Sequence, residues 1–307
     1  MEKIKEKDHG GMFMIKLIAS DMDGTLLDSY RNITKENADA IHMAQEAGIE
    51  FIINTGREYP NVKEMLKEAN VTCGAICCNG STSYDEKGNL LQMHEIPKDT
   101  LKKIFALFKE SSLIPTVFIE EGRGSVLKEE ERRKYVIETM IPAMQINHPD
   151  YIYGEKDVEE LVHDSIYVGT MDELAEGPRK VIKLFTQSLH PEELKDMRKK
   201  LEEVPGLAVV QTVATDLEIT ADTAQKGIAL MDYAKLKGYQ VDEILAVGDS
   251  ENDYSMLSIP GLHSVAMENA ADIVKDVCVY QTKANTKDGI AYIIRCILKD
   301  RENLNIE

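Results

Sequence analysis

At 307 residues, with 43% hydrophobic and 29% charged side chains, the chain has the composition of a globular protein with room for two domains. Its formal net charge of −18 argues against duplex nucleic acid or anionic lipid as a partner, and requires any phosphorylated ligand to be met by local positive charge. No apolar run approaches the roughly 20 residues of a membrane helix, the charged opening MEKIKEKDHGG lacks a secretory signal, and five cysteines give no disulfide framework; a cytoplasmic protein is expected.

In chain order, residues 1–12 read as a mobile leader, with ordered structure from Phe13. MIKLIAS is a short apolar strand that stops at an Asp-Gly turn. Thr34 then caps a helical pattern that Gly48 ends. IEFIIN is a second buried strand, 60–69 a second helix, and GAICC a third strand closed by the Asn79-Gly80 turn. Cys73, Cys77 and Cys78 fall in or beside that strand without the paired spacing or histidine of a zinc site, so they read as buried thiols, as do Cys278 and Cys296 as free ones. Such alternation predicts a parallel sheet with helices on both faces.

The rhythm breaks near Tyr84. DEKGNLLQMHEIP reads as a hairpin, followed by helices at 98–110, 129–140 and 191–203 among the strands TVFIE, SIYVGT, KVIKLFTQ and LAVVQT. The βαβ pattern returns at LEITADTAQKG, then helix 228–237, strand ILAVGD, helix 253–258, strand HSVAM and a last helix at 288–298. The predicted fold is α/β: a Rossmann-like parallel-sheet core, discontinuous over 13–86 and 216–307, with an α+β domain inserted at 87–215.

In open α/β sheets ligands sit beyond the carboxyl ends of the strands. Asp21 and Asp23, Thr55, Asn79 and Asp249 stand at such ends, with Asn252 and Asp253 in the loop after Asp249. Taken singly, each is equally a turn former or a helix cap. Two carboxylates two residues apart on an extended strand end point the same way, and carboxylate oxygens suit magnesium. Lys226 opens a helix, where its charge is unfavourable; alone it reads as a surface lysine.

DMDGTLLD, INTGRE, the Lys-Gly of AQKGIAL and VGDSENDYSML resemble, in order, the four signature motifs of the haloacid dehalogenase-like hydrolases. AICCNG, AMENA and ANTKDGIAYII narrow the resemblance to the Cof-type phosphatases of sugar-phosphate-like substrates, in which an inserted cap domain governs substrate choice. The resemblance implies that Asp21 is the nucleophile and a Mg2+ ligand. Asp23 would act as general acid and then base, its carbonyl also on the metal. Thr55, Gly56 and Asn252 would hold the phosphoryl group, Lys226 would neutralise it, and Asn79 and Arg57 would enclose it. Asp249 would ligate Mg2+, with Asp253 doing so directly or through water. The implied partner is a small-molecule phosphate ester. One departure is Glu268, where relatives usually have glycine; it narrows the pocket or, as favoured here, only alters a turn.

A phosphosugar mutase or phosphotransferase shares both aspartates and stays open as an alternative. A non-catalytic phospho-ligand binding protein is expected to have lost Asp21 or Asp23, and both are present. Arg123, His148 and Arg179 fall on loops of the inserted segment and read as solvated surface. Neither the physiological substrate nor an oligomeric state is legible.

Overall fold

The computed structural model describes residues 15–147, 149 and 151–304; the expected leader at 1–12, Phe13 and His148 lie outside the described residues. The chain divides into two compact units, with borders between Gln92 and Met93 and between Ala224 and Gln225.

The first pass through the larger unit runs β1 (Leu17–Ser20), α1 (Lys35–Glu46), β2 (Glu50–Asn54), α2 (Tyr59–Glu68), β3 (Gly74–Cys77), β4 (Thr82–Tyr84) and β5 (Leu90–Met93). Every residue of β1 is buried, as expected for a strand covered on both faces. Thr34 caps α1 by accepting from the Asn37 amide at 3.1 Å.

The chain then builds the second unit: α3 (Lys98–Lys109), β6 (Thr116–Ile119), β7 (Gly122–Ser125), α4 (Glu129–Tyr135), α5 (Ile141–Asn147), α6 (Glu155–His163), β8 (Ile166–Tyr167), α7 (Met171–Glu176), β9 (Val181–Gln187), α8 (Pro191–Glu202), β10 (Leu207–Val210) and β11 (Asp216–Ala221). It returns to the first through α9 (Lys226–Lys237), β12 (Ile244–Gly248), α10 (Tyr254–Leu257), β13 (His263–Ala266), α11 (Asp272–Val277), β14 (Tyr280–Gln281) and α12 (Gly289–Leu304).

The first unit carries an eight-stranded sheet in the order β14-β13-β12-β1-β2-β3-β4-β5, parallel from β14 to β3. The strand order reverses at β1, where β2 lies on one side and β12 on the other. Helices α1 and α12 pack together, as do α9 and α10.

The second unit has a six-stranded sheet, β10-β11-β9-β6-β7-β8, antiparallel except between β7 and β8. Leu101, Ile104, Phe105 and Phe108 of α3 and Leu194, Met197 and Leu201 of α8 pack with Val117, Ile119, Leu184, Leu217 and Ile219 from alternate strand positions. Lys183 and Glu218, from the opposite strand parity, form a buried ion pair. Arg123 is half-buried, its guanidinium 5.8 Å from the Phe118 ring centroid, rather than solvated; Arg179 is exposed and donates to the Val168 carbonyl.

The unit borders differ from the expected 86/87 and 215/216. Strands β4 and β5 extend the larger sheet, which moves the first border outward. LEITA, expected to resume the parallel core, pairs antiparallel with β9 and β10, because its buried apolar residues fit either sheet and only pairing decides between them. Cys73, Cys77 and Cys78 are buried free thiols. Among the described residues no helix is long and apolar enough to cross a membrane.

Candidate active site

The reversal of strand order at β1 puts the ends of β1 and β12 side by side, the place where an open parallel sheet leaves a crevice. The Asp21 amide donates to the Val247 carbonyl at 3.0 Å, so Asp21 and Asp249 leave neighbouring strand ends. The chain then turns sharply through Gly24 at φ +76°. A Cβ there would stand 2.4 Å from Oδ2 of Asp249, so a side chain would strain the backbone and push the Asp249 carboxylate out of place. Thr25 completes the turn by donating to Asp249 Oδ1 at 2.8 Å.

Lys226 is fully buried, not a surface lysine. Its Nζ donates to Asp21 Oδ1 at 2.6 Å and to Asp253 Oδ1 at 2.7 Å. The approach depends on Gly227, where a Cβ would fall 2.1 Å from the Ser255 carbonyl oxygen; the bare backbone lets the start of α9 reach α10. Asp253 does more than favour a helix start. It is fully buried, and its Oδ2 accepts from the amides of Asp249 and Ser250 at 2.8 and 3.1 Å.

Carboxylate oxygens of Asp21, Asp249 and Asp253 lie within 4.8 Å of one another. One lysine thus faces three carboxylates. Burial pushes the Asp21 carboxyl well above its ordinary range, against the pull of Lys226 and with the push of Asp253 and Asp249. Burial, and then the charge of Asp253, raises Asp249 to about 7. Burial alone would depress Lys226, but its two carboxylate partners hold it above its ordinary value. Crowded hard oxygen donors with this surplus of negative charge fit a divalent cation.

The remaining predicted residues surround this cluster. Thr55 follows β2; its amide donates to the Ile76 carbonyl, its carbonyl accepts from the Asn79 amide, and its hydroxyl accepts from the Arg57 amide at 3.2 Å. Gly56 lies in that turn, half-buried. Asn79, at φ +57°, accepts at Oδ1 from Asn252 Nδ2 at 3.2 Å, which ties the loops after β3 and β12 together.

Arg57 does not stand alone at the rim but clasps Asp23, with Nε and Nη2 donating to Oδ2 and Oδ1 at 2.7 and 2.6 Å. Desolvation by itself would raise the Asp23 carboxyl; the charge and paired hydrogen bonds of Arg57 outweigh it and hold the group well below the usual carboxylate range. Glu268 ion-pairs with Lys287 at 3.0 Å and accepts from the Ala284 amide at 3.2 Å. It braces a turn.

Thr25, Asn61, Ser250 and Asn269 escaped the sequence reading. Thr25 lies inside DMDGTLLD and Ser250 inside GDSEND, so motif membership pointed to them. Asn269 lies inside AMENA, but its donation to the Gly24 carbonyl at 2.8 Å spans 245 positions and is a contact of the folded chain. Asn61 accepts from Arg57 Nη1 at 2.6 Å, and its one signal is the i, i+4 spacing.

A doubly wound parallel sheet with a lysine-bridged acidic cluster at its switch point, interrupted by a second unit with its own sheet, defines a distinct class of α/β proteins. The chain belongs to the haloacid dehalogenase-like hydrolase family, whose sequence model matches residues 18–294. It is 28% identical over 290 residues to the phosphatase YwpJ of Bacillus subtilis, covering 92% of this chain and 100% of that one. It is also 28% identical over 284 residues to YwtE of the same organism, a 5-amino-6-(5-phospho-D-ribitylamino)uracil phosphatase, covering 92% of this chain and 98% of that one. A solved haloacid dehalogenase-like hydrolase from B. subtilis superposes with a TM-score of 0.80 at 28% identity, over 92% of this chain and 99% of that one. The family resemblance and the α/β fold read from the motifs hold.

Proposed function

We propose that this protein is a magnesium-dependent phosphatase that hydrolyses a small phosphate monoester through a phosphoryl-Asp21 intermediate. The observation that carries this reading is the buried Lys226, bonded at once to Asp21 and Asp253 beside Asp249, with Asp23 two residues beyond Asp21. Lys226 occupies Asp21 Oδ1, which leaves Oδ2 as the attacking atom.

In the first step Asp21 Oδ2 bonds to phosphorus as the ester P–O bond breaks, and Asp23 delivers a proton to the departing alkoxide. Arg57 keeps Asp23 ionised in the free site, and Asp23 takes up that proton from solvent as the anionic phosphate enters beside it. In the second, Asp23 takes a proton from water, whose oxygen attacks phosphorus and releases Asp21 and inorganic phosphate. Lys226 and the turn at Thr55 and Gly56 position the phosphoryl oxygens, with Asn79 and Asn252 closing the far side of the crevice. Asp21, Asp249, Asp253 and the Asp23 carbonyl would hold the Mg2+, which supplies charge neutralisation to the phosphoryl group.

The substrate reading follows the chemistry of the named relatives. The uracil compound in the name of YwtE is a small molecule with a phosphate on a polyol chain. That supports a primary phosphate on a small metabolite for this chain, with the unit between Met93 and Ala224 acting as the cap that chooses among them. Asp21→Asn tests the reading: phosphate release from a panel of phosphorylated metabolites should be abolished while the melting temperature holds or rises, since one repelling charge is gone. Activity within tenfold of the parent would end the assignment.

A further inference from the structure

Arg57 is fixed at both ends. Its backbone amide donates to the Thr55 hydroxyl at 3.2 Å, and its carbonyl accepts from the Cys78 amide at 2.8 Å. At the other end the guanidinium directs its donors two ways. The Nε and Nη2 edge forms the paired bonds to Asp23, while Nη1 points back to Asn61 Oδ1 at 2.6 Å and Met65 Sδ at 3.2 Å, both on α2. The Arg57 side chain is 12% exposed and the Asp23 side chain 52%. A buried brace thus ends in an open carboxylate.

A guanidinium is planar, so fixing its third corner fixes the plane in which the carboxylate is gripped. Without the acceptor at position 61, rotation about the terminal torsions of Arg57 would swing the two oxygens of Asp23 with it. We infer that Asn61 is a positioning residue for the acid–base group: by accepting from Arg57 Nη1 it sets the direction of the Asp23 carboxylate, without touching the reacting atoms itself. The inference rests on the proposed role of Asp23.

Its signature is a dependence on the leaving group. Phenolate needs a proton as it departs and nitrophenolate does not at neutral pH, so a misdirected Asp23 slows only the first. Asn61→Leu removes the acceptor while keeping the branched shape of the side chain, and Asn61→Asp keeps the acceptor. Rapid-quench single-turnover rates with phenyl phosphate and nitrophenyl phosphate should show Asn61→Leu slowing phenolate release about tenfold and nitrophenolate release less than about twofold, a fraction of what general acid catalysis contributes. Asn61→Asp should restore phenolate release to within about twofold of the parent.

Equal losses for both esters, or no recovery in Asn61→Asp, would overturn the inference. Should Asn61→Leu fail to fold, Asn61→Ser, whose hydroxyl is too short to hold the same contact, carries the same comparison. The two readings fail separately. Turnover surviving in Asp21→Asn refutes the phosphatase mechanism, whereas an inactive Asp21→Asn with unchanged leaving-group dependence in Asn61→Leu refutes only the role of Asn61.

Discussion

Among the described residues two lysines lie deep, one in each unit, and their surroundings differ in kind. Lys183 sits mid-strand in β9 and is 2% exposed. It pairs with the Glu218 carboxylate of β11, and its ammonium lies 5.2 Å from the Phe118 ring centroid and 5.9 Å from that of Phe185. Opposite charges meet directly in that pair, and the aromatic faces add to its stabilisation. Lys226 opens a helix at the strand ends and faces three carboxylates. That cluster carries surplus negative charge, and a partner from solution can complete it. A lysine paired mid-strand within a sheet specifies structure; a lysine among surplus carboxylates at a sheet's switch point marks a place for a ligand.

Removing each lysine should separate the two roles. Lys226→Met should lower turnover about a thousandfold or more, since a phosphoryl group and two aspartates lose their shared cation. Lys183→Met should leave nitrophenyl phosphate turnover within a few fold but destabilise the second unit by about 3–5 kcal/mol, because Glu218 stays buried and loses its lysine. Lys183→Met combined with Glu218→Leu should recover most of that loss. Kinetics and urea unfolding on the same preparations decide it. A folded Lys183→Met protein with no turnover would place Lys183 in the chemistry and dissolve the contrast.

The same contrast explains what was legible beforehand. Asp21, Asp23, Thr55, Asn79 and Asp249 stand at or just past strand ends, with Asp253 in the loop after Asp249, and such ends are marked by turn residues that any reader of the chain can find. Lys226 looked exposed because its burial depends on Gly227 admitting a neighbouring backbone, a fact about packing and not about local sequence. The grip of Arg57 on Asp23 spans 34 positions and turns on side-chain direction, which periodicity does not encode. The Lys183–Glu218 pair was invisible for a further reason: LEITA has the same apolar character in either sheet, and the register of β11 on β9 is what brings the charges together. Helix α6 was missed although Val158, Leu161 and Val162 carry helical spacing, because its surroundings are polar and short.

Adding cation should sharpen the difference further. Magnesium at 100 times its dissociation constant should stabilise the parent by about 2–3 kcal/mol, and Asp249→Asn should lose most of that gain. Lys183→Met should keep it. Chelation with EDTA should abolish turnover, and magnesium should restore it. A magnesium-induced rise in melting temperature that survives in Asp249→Asn would move the binding site elsewhere.

The smallest effect concerns two carboxyls raised for related reasons. Asp249 is raised to about 7 by burial and Asp253, and Asp216, at the start of β11, to about 6 by burial and then by the charge of Glu218. Asp216 is 4% exposed and accepts from the Thr212 and Val213 amides at 3.0 and 3.2 Å, contacts that restrain the rise without cancelling it. Because its folded value lies above the ordinary one near 4, the folded chain binds this proton more tightly than the unfolded chain. Stability from this group is therefore full below about pH 4, declines as pH rises, and is lost above about pH 6. A displacement of roughly two pH units corresponds to about 3 kcal/mol at most. Asp216→Asn keeps a side-chain acceptor for the two amides and removes the titration, so at pH 7 it should stabilise the second unit by about 1–2 kcal/mol and confer nothing at pH 4. Other carboxylates titrate in the same range, so the quantity to follow is the difference between parent and variant, by hydrogen exchange of β9 and β11 amides from pH 4 to 7. Magnesium should leave that difference untouched, since the cation relieves Asp249, whereas the rise of Asp216 comes from its own burial and the charge of Glu218. A difference that is flat with pH would show that Asp216 is ionised throughout and that its amide contacts, not its burial, decide its charge.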